Sequence, residues 1–352
     1  MLKPETDVLA SQLDGVLSEH VARGIVGASL ALVRPGEEAL TLAAGCADRA
    51  SGTPLTPDHL FKTASTKKTW TAVSVLALVS EGRIGLDRTI EGWFPHLPRA
   101  DEIRVRHLLS HRSGLPEYEA FMPRGSADDW TPERIVDFAL ANGTQIAPGE
   151  AFIYSNPGYV LAGEIVASER GETLSRWLRR AVFEPAGMSE TWSGGDEAFP
   201  RERLARQYVF DSGRPDAPPE DSSDWFPLSG IGAAGDLVTT PRDLARGFHA
   251  LFAGQVLDPA ALAMLRGPLL PASFPGTNIT HCGHGVLVSR FGDLTVEGHL
   301  GQLRGHVTMA GYHAASGITA VFSQNSCSSD LEAFGAAGIH AAFAEVFRLA
   351  GA

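Results

Sequence analysis

Apolar and polar residues alternate in two stretches near the start of the chain and in four stretches near its end. The first two, residues 26–34 and 39–45, are separated by the turn-forming segment Pro-Gly-Glu-Glu. Alternation with a period of two places neighbouring side chains on opposite faces, so we interpret these stretches as β-strands. The four later strands are predicted at residues 285–290, 294–299, 306–312 and 318–324.

Helical periodicity marks most of the remaining apolar segments. Residues 5–23 and 329–349 predict a helix at each end of the chain. Residues 83–224 show helical segments and long loops, with no convincing pair of strands. The other predicted helices cover, or lie within, residues 65–82, 98–111, 131–143, 156–171, 175–185, 241–254 and 258–266.

Strands from both ends of the chain, with helices between them, predict one antiparallel sheet in an α+β protein. In this interpretation the N- and C-terminal helices flank the sheet, and a helical domain is inserted in the middle of the sequence. A chain of 352 residues is long enough for a large core and two lobes. We expect residues 1–84 and 227–352 to form the sheet lobe and residues 85–226 the helical lobe, with the active site between them.

The composition argues against some classes of function. A net charge of −12 leaves no basic face for phosphates, so we expect no binding to nucleic acid. No apolar run is long enough to cross a membrane, and the N-terminal segment lacks the apolar core and cleavage site of a secretion signal. Three cysteines without a C-x-x-C spacing fit a reducing compartment. We therefore expect a cytoplasmic protein, whose oligomeric state the sequence does not set.

Lysine is rare in this chain: there are four lysines against 25 arginines, and Lys62, Lys67 and Lys68 all flank Ser65. Arginine keeps its proton at working pH, whereas a desolvated lysine can lose it. Ser65 and Lys68 are three residues apart at the start of a predicted helix, so they share one face near the positive end of its dipole. We interpret Ser65 as a nucleophile and Lys68 as its base. Alternatively, Ser65 only caps the helix, and Lys62 and Lys67 are surface charges.

Two further motifs follow. A Tyr-Ser-Asn segment at residues 154–156 precedes a predicted helix, and a His-Leu-Gly segment at residues 299–301 closes a predicted strand. Ser-x-x-Lys, Tyr-x-Asn and a cation-or-His-x-Gly strand, in this order, resemble the pattern of the penicillin-recognising serine hydrolases. Within that family, the branch of class C β-lactamases, D-aminopeptidases, related esterases and D-amino acid amidases is the most similar. The segments that resemble it are residues 107–116, 154–163, 233–244 and 298–302.

The resemblance implies a β-lactamase-like fold and a D-stereospecific amidase that releases ammonia from D-amino acid amides without a cofactor. The preference for D over L substrates rests on the resemblance alone. An esterase or a D-aminopeptidase of the same fold is the first alternative. A β-lactamase, a DD-peptidase and a non-catalytic sensor are less favoured, the sensor because Ser65, Lys68 and Tyr154 are all present.

The residue types themselves suit acyl transfer. Ser65 would attack an acyl carbon, and a desolvated Lys68 with a lowered pKa would take its proton. Tyr154 would relay a proton to the leaving amine, which requires neighbours such as Lys68 to shift its ordinary pKa of about 10. Asn156 would orient Lys68 and the acyl side chain. The backbone N–H groups of Ser65 and Gln302 would hold the oxyanion.

His299 stands where most β-lactamases have the lysine of a Lys-Thr-Gly motif, which provides a cation for the substrate's carboxylate. A histidine at this place favours a small neutral amide or ester over a lactam. Gln302, three residues later, would add a polar contact to that substrate.

An amino acid amide carries an α-ammonium group, so we expect an acidic residue near the site. Glu119 is our choice, with Glu117 and Asp236 as alternatives. Trp225 and Phe226 would form the apolar wall of a side-chain pocket.

Two histidine patterns suggest a metal at first sight. His107 and His111 have the spacing of a zinc helix but lack the glutamate of H-E-x-x-H. Residues 281–284 read His-Cys-Gly-His, with no evident third or fourth ligand. We expect neither a metal nor a cofactor.

Overall fold

The structure is a computed structural model that describes residues 4–125, 130–214, 216–329 and 338–352. Within these ranges the α-helices are α1 (Pro4–Ala22), α2 (Lys67–Ser80), α3 (Val105–Leu109), α4 (Pro132–Asn142), α5 (Asn156–Arg170), α6 (Leu174–Leu178), α7 (Pro241–Phe252), α8 (Pro259–Arg266) and α9 (Ile339–Leu349). The strands are β1 (Gly27–Val33), β2 (Leu40–Asp48), β3 (Thr53–Pro54), β4 (Phe61–Lys62), β5 (Thr191–Ser193), β6 (Tyr208–Phe210), β7 (Glu220–Asp221), β8 (Leu237–Thr239), β9 (Leu270–Pro271), β10 (Ile279–Cys282), β11 (Leu287–Phe291), β12 (Leu294–Leu303), β13 (His306–His313), β14 (Ile318–Gln324) and β15 (Ser326–Ser328).

The centre of the fold is a large sheet with the strand order β3-β2-β1-β14-β13-β12-β11-β10-β9. All neighbouring strands in it pair antiparallel, and β1 from the start of the chain lies beside β14 from its end. This arrangement confirms the predicted antiparallel sheet built from both ends of the sequence. None of the helices in the described ranges is long and apolar enough to span a membrane.

Alternate residues of β1 enter two different cores, as the period of two requires. Leu30 points into the core beneath the terminal helices, where α9 contributes Phe343. Ala31 points into the larger core on the other face, where α7 contributes Phe248. Because helices cover both faces, every residue of β1 is buried.

Helix α2 lies inside the larger core, and most of its residues are buried. Trp70 packs edge-on against Phe183 and Phe248, with ring centres 6.2 and 5.3 Å apart. A helix that is apolar on nearly every side has to lie in the protein interior. Its N-terminal turn contacts β12, and its body packs on α5. These neighbours supply the candidate site.

The middle of the chain differs from the sequence prediction. Antiparallel pairing of β6 with β7 shows that the expected absence of a strand pair in residues 83–224 was wrong. These strands are too short to show a period in the sequence.

The helix expected within residues 98–111 is limited to Val105–Leu109. The C-terminal helix predicted over residues 329–349 is present as α9, Ile339–Leu349, and residues 330–337 of that prediction lie outside the described residues. The division into two lobes stays a prediction.

Candidate active site

Ser65 lies in a 3₁₀ turn, Ala64–Thr66, that connects β4 to α2. Ala64 has a φ of +49°, which a residue with a side chain rarely adopts. Strand β12 lies directly against this turn at Gly301. A Cβ atom there would be 2.1 Å from the Thr63 carbonyl oxygen and 2.8 Å from the Ser65 nitrogen, so only glycine fits. The close approach places the residue after Gly301 beside the candidate nucleophile, as an oxyanion site at Gln302 would require.

Lys68 is fully buried, and its amine contacts only neutral groups. The Nζ atom lies 2.9 Å from Ser65 Oγ, 2.5 Å from Asn156 Oδ1 and 2.8 Å from the Ala234 carbonyl oxygen. Among the described residues, no carboxylate forms an ion pair with it. Burial therefore lowers the pKa of Lys68 to about 7, although the nearby carboxylates of Glu117 and Glu119 partly oppose this.

The geometry around Lys68 determines where a neutral amine would direct its lone pair. A neutral lysine has two N–H bonds and one lone pair. The amide oxygen of Asn156 and the carbonyl oxygen of Ala234 can only accept, so they take the two N–H bonds. The lone pair is left for the hydroxyl proton of Ser65. This arrangement is that of a serine nucleophile with a lysine general base.

Tyr154 is hydrogen-bonded through its hydroxyl to Ser65. Its ring centre lies 4.9 Å from Lys68 Nζ. Burial raises the pKa of Tyr154 well above 10, and the hydrogen bond between Tyr154 and Ser65 only partly opposes that shift. A proton relay through Tyr154 would require its pKa to be lowered by neighbours such as Lys68, and this lowering is not found. In this site the phenol keeps its proton at neutral pH and is suited to donate it.

Glu117 fixes the orientation of Asn156. Its carboxylate accepts the Asn156 side-chain N–H at 3.0 Å and the Asn156 backbone N–H at 2.8 Å. It also accepts the backbone N–H groups of Tyr118 and Glu119. With its NH₂ group held by Glu117, Asn156 has to turn its oxygen towards Lys68. The sequence carried no signal for this role, because Glu117 and Asn156 are 39 residues apart.

Glu119 is half-buried near Lys68 and makes no ion pair among the described residues. Burial, helped by the Glu117 charge, raises the pKa of Glu119 to about 7. Arg304 lowers that pKa somewhat, and its guanidinium donates a 3.3 Å hydrogen bond to the Glu119 carbonyl oxygen. Asp236 is already paired with Lys67 at 2.5 Å, so it is not free for a substrate ammonium.

The interpretation of Lys62 and Lys67 as surface charges was wrong. Lys67 is 1% exposed and donates to Ser193 Oγ at 2.6 Å and to Asp236 Oδ1 at 2.5 Å. Lys62 is 7% exposed and donates to the Ser223 carbonyl oxygen at 2.8 Å. All three lysines around Ser65 are therefore buried in the structure.

His299 is buried on β12, and its Nδ1 atom lies 2.6 Å from the Leu300 carbonyl oxygen. Burial and the Lys68 charge lower the pKa of His299 to about 3. The imidazole is therefore neutral and offers no cation to a substrate carboxylate. The side chain of Gln302 is hydrogen-bonded to Cys327.

Trp225 and Phe226, which we expected to form the apolar wall of a side-chain pocket, lie in different surroundings. Trp225 is half-buried and stacks beneath the Arg124 guanidinium, whose carbon lies 4.0 Å from the ring centre. Phe226 belongs to the large core and is 5% exposed. The role of Trp225 at the site stays a prediction.

The histidine patterns form no metal cluster within the described ranges, where no group of three His, Cys, Asp or Glu residues could hold an ion. Helix α3 ends at Leu109, so His107 and His111 do not share a helix face. His111 instead stacks on Tyr154, with ring centres 4.2 Å apart.

Comparison with known proteins gives one family match and three informative relatives. The sequence model of the β-lactamase family matches residues 13–342. D-amino acid amidase from Ochrobactrum anthropi SV3, solved with L-phenylalanine amide, is 44% identical, with 97% of this chain and 98% of that chain covered and a TM-score of 0.93. A D-stereospecific amidohydrolase from Streptomyces sp. is 27% identical, with 93% and 97% covered and a TM-score of 0.76. Penicillin-binding protein 4* of Bacillus subtilis (strain 168) is 30% identical over 228 residues, which are 62% of this chain and 50% of that protein. This chain thus spans about half the length of that relative.

Proposed function

This chain belongs to the β-lactamase family of serine hydrolases, and we propose that it is a D-stereospecific amidase that hydrolyses D-amino acid amides to D-amino acids and ammonia. The observation that carries the reaction type is the Lys68 amine, which has no ion-pair partner among the described residues and directs its lone pair at Ser65. The substrate class is supported by the likeness to the Ochrobactrum amidase over nearly the full length of both chains. A cytoplasmic location remains part of the proposal.

The first half-reaction forms an acyl-enzyme. Neutral Lys68 takes the hydroxyl proton of Ser65 as Oγ bonds to the amide carbon. The resulting oxyanion would be held by the backbone N–H groups of Ser65 and Gln302. Tyr154 donates its proton to the amide nitrogen as the C–N bond breaks and ammonia leaves. The Lys68 ammonium then returns a proton to Tyr154, which restores both groups.

The second half-reaction releases the D-amino acid. A water molecule enters the place that ammonia has left, and Lys68 takes its proton as the oxygen bonds to the acyl carbon. The bond from the acyl carbon to Ser65 Oγ then breaks, and Ser65 recovers the proton from Lys68. In this half-reaction Lys68 acts first as a base and then as an acid, and Ser65 is the leaving group.

Substrate recognition would rest on Glu119 and on the neutral His299. Glu119 is a carboxylate near Lys68 without an ion-pair partner among the described residues, so a substrate α-ammonium can complete a pair there. His299 carries no charge, in keeping with a substrate that lacks a carboxylate. We propose Asn156, Gln302 and Trp225 as the remaining contacts, to the acyl group and its side chain.

The test is ammonia release from D-phenylalaninamide compared with L-phenylalaninamide, p-nitrophenyl esters and nitrocefin. We expect the D-amide to be cleaved with a kcat/KM at least about tenfold above that of the L-amide, a difference of ~1.4 kcal/mol. The Ser65→Ala variant is the matched control and should release no ammonia above background. Good turnover of esters with no cleavage of any D-amide would replace this proposal with an esterase.

A further inference from the structure

His111 lies beneath the candidate site and is 1% exposed. Its ring is stacked on Tyr154, with 4.2 Å between ring centres and 21° between planes. Tyr159 and Phe152 close its other sides at 5.0 and 5.6 Å. The backbone of His111 has a φ of +55°, an uncommon conformation that costs about 1–3 kcal/mol. The fold maintains this strained residue directly against the phenol of the catalytic set.

The hydrogen bonds of His111 define its tautomer. Nδ1 accepts the backbone N–H of Ser155 at 3.1 Å, so the proton of the neutral ring is on Nε2. In the part of the chain that the structure describes, Nε2 is buried with no partner. Burial and the charge of Lys68 lower the pKa of His111 well below 6.5, so the ring stays neutral.

Ser155 is the residue between the two proposed functional groups of this segment. Its side chain caps helix α5 by accepting the Gly158 N–H, and its own N–H would be buried and unpaired without His111. The imidazole therefore holds both the backbone between Tyr154 and Asn156 and the face of the Tyr154 ring. A phenylalanine would stack but not accept, and an asparagine would accept but not stack.

We propose that His111 is a positioning residue that holds the Tyr154 phenol against Ser65 and so supports protonation of the leaving group. This inference rests on the proposed function, in which Tyr154 protonates the amide nitrogen as it leaves as ammonia. In this proposal His111 acts by placing Tyr154, through the ring stack and the Ser155 backbone, and not by a contact of its own with the substrate. A purely structural role would instead lower stability and affect every substrate to the same degree.

The leaving group separates the two roles. An amide nitrogen has to be protonated as it leaves, whereas p-nitrophenolate leaves without a proton. We would measure kcat/KM for D-phenylalaninamide and for the p-nitrophenyl ester of D-phenylalanine, which share one acyl group. In His111→Phe and His111→Asn we expect the amide value to fall roughly 10–100-fold, as for a misplaced catalytic group, and the ester value by no more than about threefold.

The double variant tests whether His111 acts through Tyr154. Tyr154→Phe should show the same selective loss for the amide, and adding His111→Phe to it should change kcat/KM by no more than about twofold, because the shared interaction is already gone. Thermal unfolding of each variant identifies any that does not fold. If His111→Asn unfolds, His111→Phe decides alone, since it keeps the volume of the ring.

Three results would overturn the inference: equal losses for amide and ester, no loss for the amide, or a full additional loss in the Tyr154→Phe background. Failure of the proposed function is a separate result, seen in the unmodified enzyme as ester turnover without amide turnover. In that event the methyl ester of D-phenylalanine, whose leaving group also needs a proton, replaces the amide, and the same comparison with the p-nitrophenyl ester decides.

Discussion

Lys67 and Lys68 are consecutive and equally buried, yet they lie in opposite electrostatic surroundings. Lys67 points at Asp236, whose carboxylate oxygen is 2.5 Å from its amine. Lys68 points at a serine, an amide and a backbone carbonyl, none of which carries a charge. Burial alone makes any ammonium costly, and the partner decides whether the proton stays. Lys68 is therefore suited to be a base because its acceptors are neutral.

The two lysines also bind the same segment of the chain. Three side chains of α2 donate hydrogen bonds to residues 233–236. Thr71 donates to the Ala233 carbonyl oxygen, Lys68 to the Ala234 carbonyl oxygen and Lys67 to the Asp236 carboxylate. The charged pair thereby helps to hold the carbonyl oxygen that takes one N–H of the neutral amine. The structural lysine supports the geometry of the lysine that we propose to be catalytic.

Replacing each lysine by arginine gives the largest expected contrast. Lys68→Arg keeps the charge but cannot lose a proton, so we expect kcat for D-phenylalaninamide to fall by roughly 10⁴-fold or more. Lys67→Arg can still pair with Asp236, and kcat should stay within about tenfold of the unmodified enzyme. Steady-state kinetics on both purified variants measures the contrast. Substantial activity in Lys68→Arg would remove Lys68 as the base.

Breaking the charged pair should affect stability and leave the pH profile in place. Asp236→Asn leaves the Lys67 ammonium buried without its counter-charge, so we expect a loss of about 3–5 kcal/mol in the free energy of unfolding. Urea unfolding measures this loss. The double variant Lys67→Met, Asp236→Leu removes both charges and should recover most of the stability. If the free energy of unfolding falls by less than about 1 kcal/mol in Asp236→Asn, the Lys67–Asp236 pair contributes no more than an exposed salt bridge, and the prediction is wrong.

Asn156→Asp would give Lys68 the kind of partner that Lys67 has. A carboxylate at that position favours the ammonium form and raises the pKa of Lys68 from about 7 by roughly 1–3 units. The base is active only when deprotonated, so the rise of kcat/KM with pH should move to higher pH by the same amount. Activity at neutral pH should fall accordingly. If the rise of kcat/KM with pH does not move, the protonation of Lys68 is not the cause of that rise. The control is Asp236→Asn, in which we expect the rise to occur at the same pH as in the unmodified enzyme.

Replacing Glu119 should have the smallest effect on activity. We propose that its carboxylate binds the substrate and takes no part in the proton transfer by Lys68. Glu119→Gln removes the partner of the α-ammonium, and we expect KM for D-phenylalaninamide to rise about tenfold with little change in kcat. The amide of 3-phenylpropanoic acid, which lacks the α-amino group, is the matched substrate. Its KM should not change, and an equal rise for both substrates would exclude this role for Glu119.

The sequence predicted the parts of the fold that depend on local pattern. Helix α4 lies where Thr131, Pro132 and Gly143 predict its cap, first turn and end. The long strands were visible because a period of two persists over several residues. The brief pairing of β6 with β7 lacks that signal, so it could not be found from the sequence.

At the site, the sequence identified the proposed catalytic side chains but not the residues that hold them in place. Ser65 and Lys68 share one turn of chain, so their proximity follows from helical geometry. Asp236 pairs with Lys67 across 169 residues, and His111 reaches Ser155 across 44. Such contacts depend on tertiary packing. For that reason Lys67 seemed to be a surface charge and His111 a weak zinc ligand, whereas both are buried beside the proposed catalytic residues.

The most direct test of the neutral Lys68 is NMR titration of the enzyme labelled with ¹³C at the lysine ε-carbons. The chain has four lysines, so four signals are expected, and Lys62→Arg and Lys68→Arg assign the two that belong to buried amines of lowered pKa. We predict that the Lys68 signal titrates with a pKa of about 7, in step with kcat/KM. A Lys68 signal that stays in the ammonium form up to about pH 10, the range of an ordinary lysine, would contradict it.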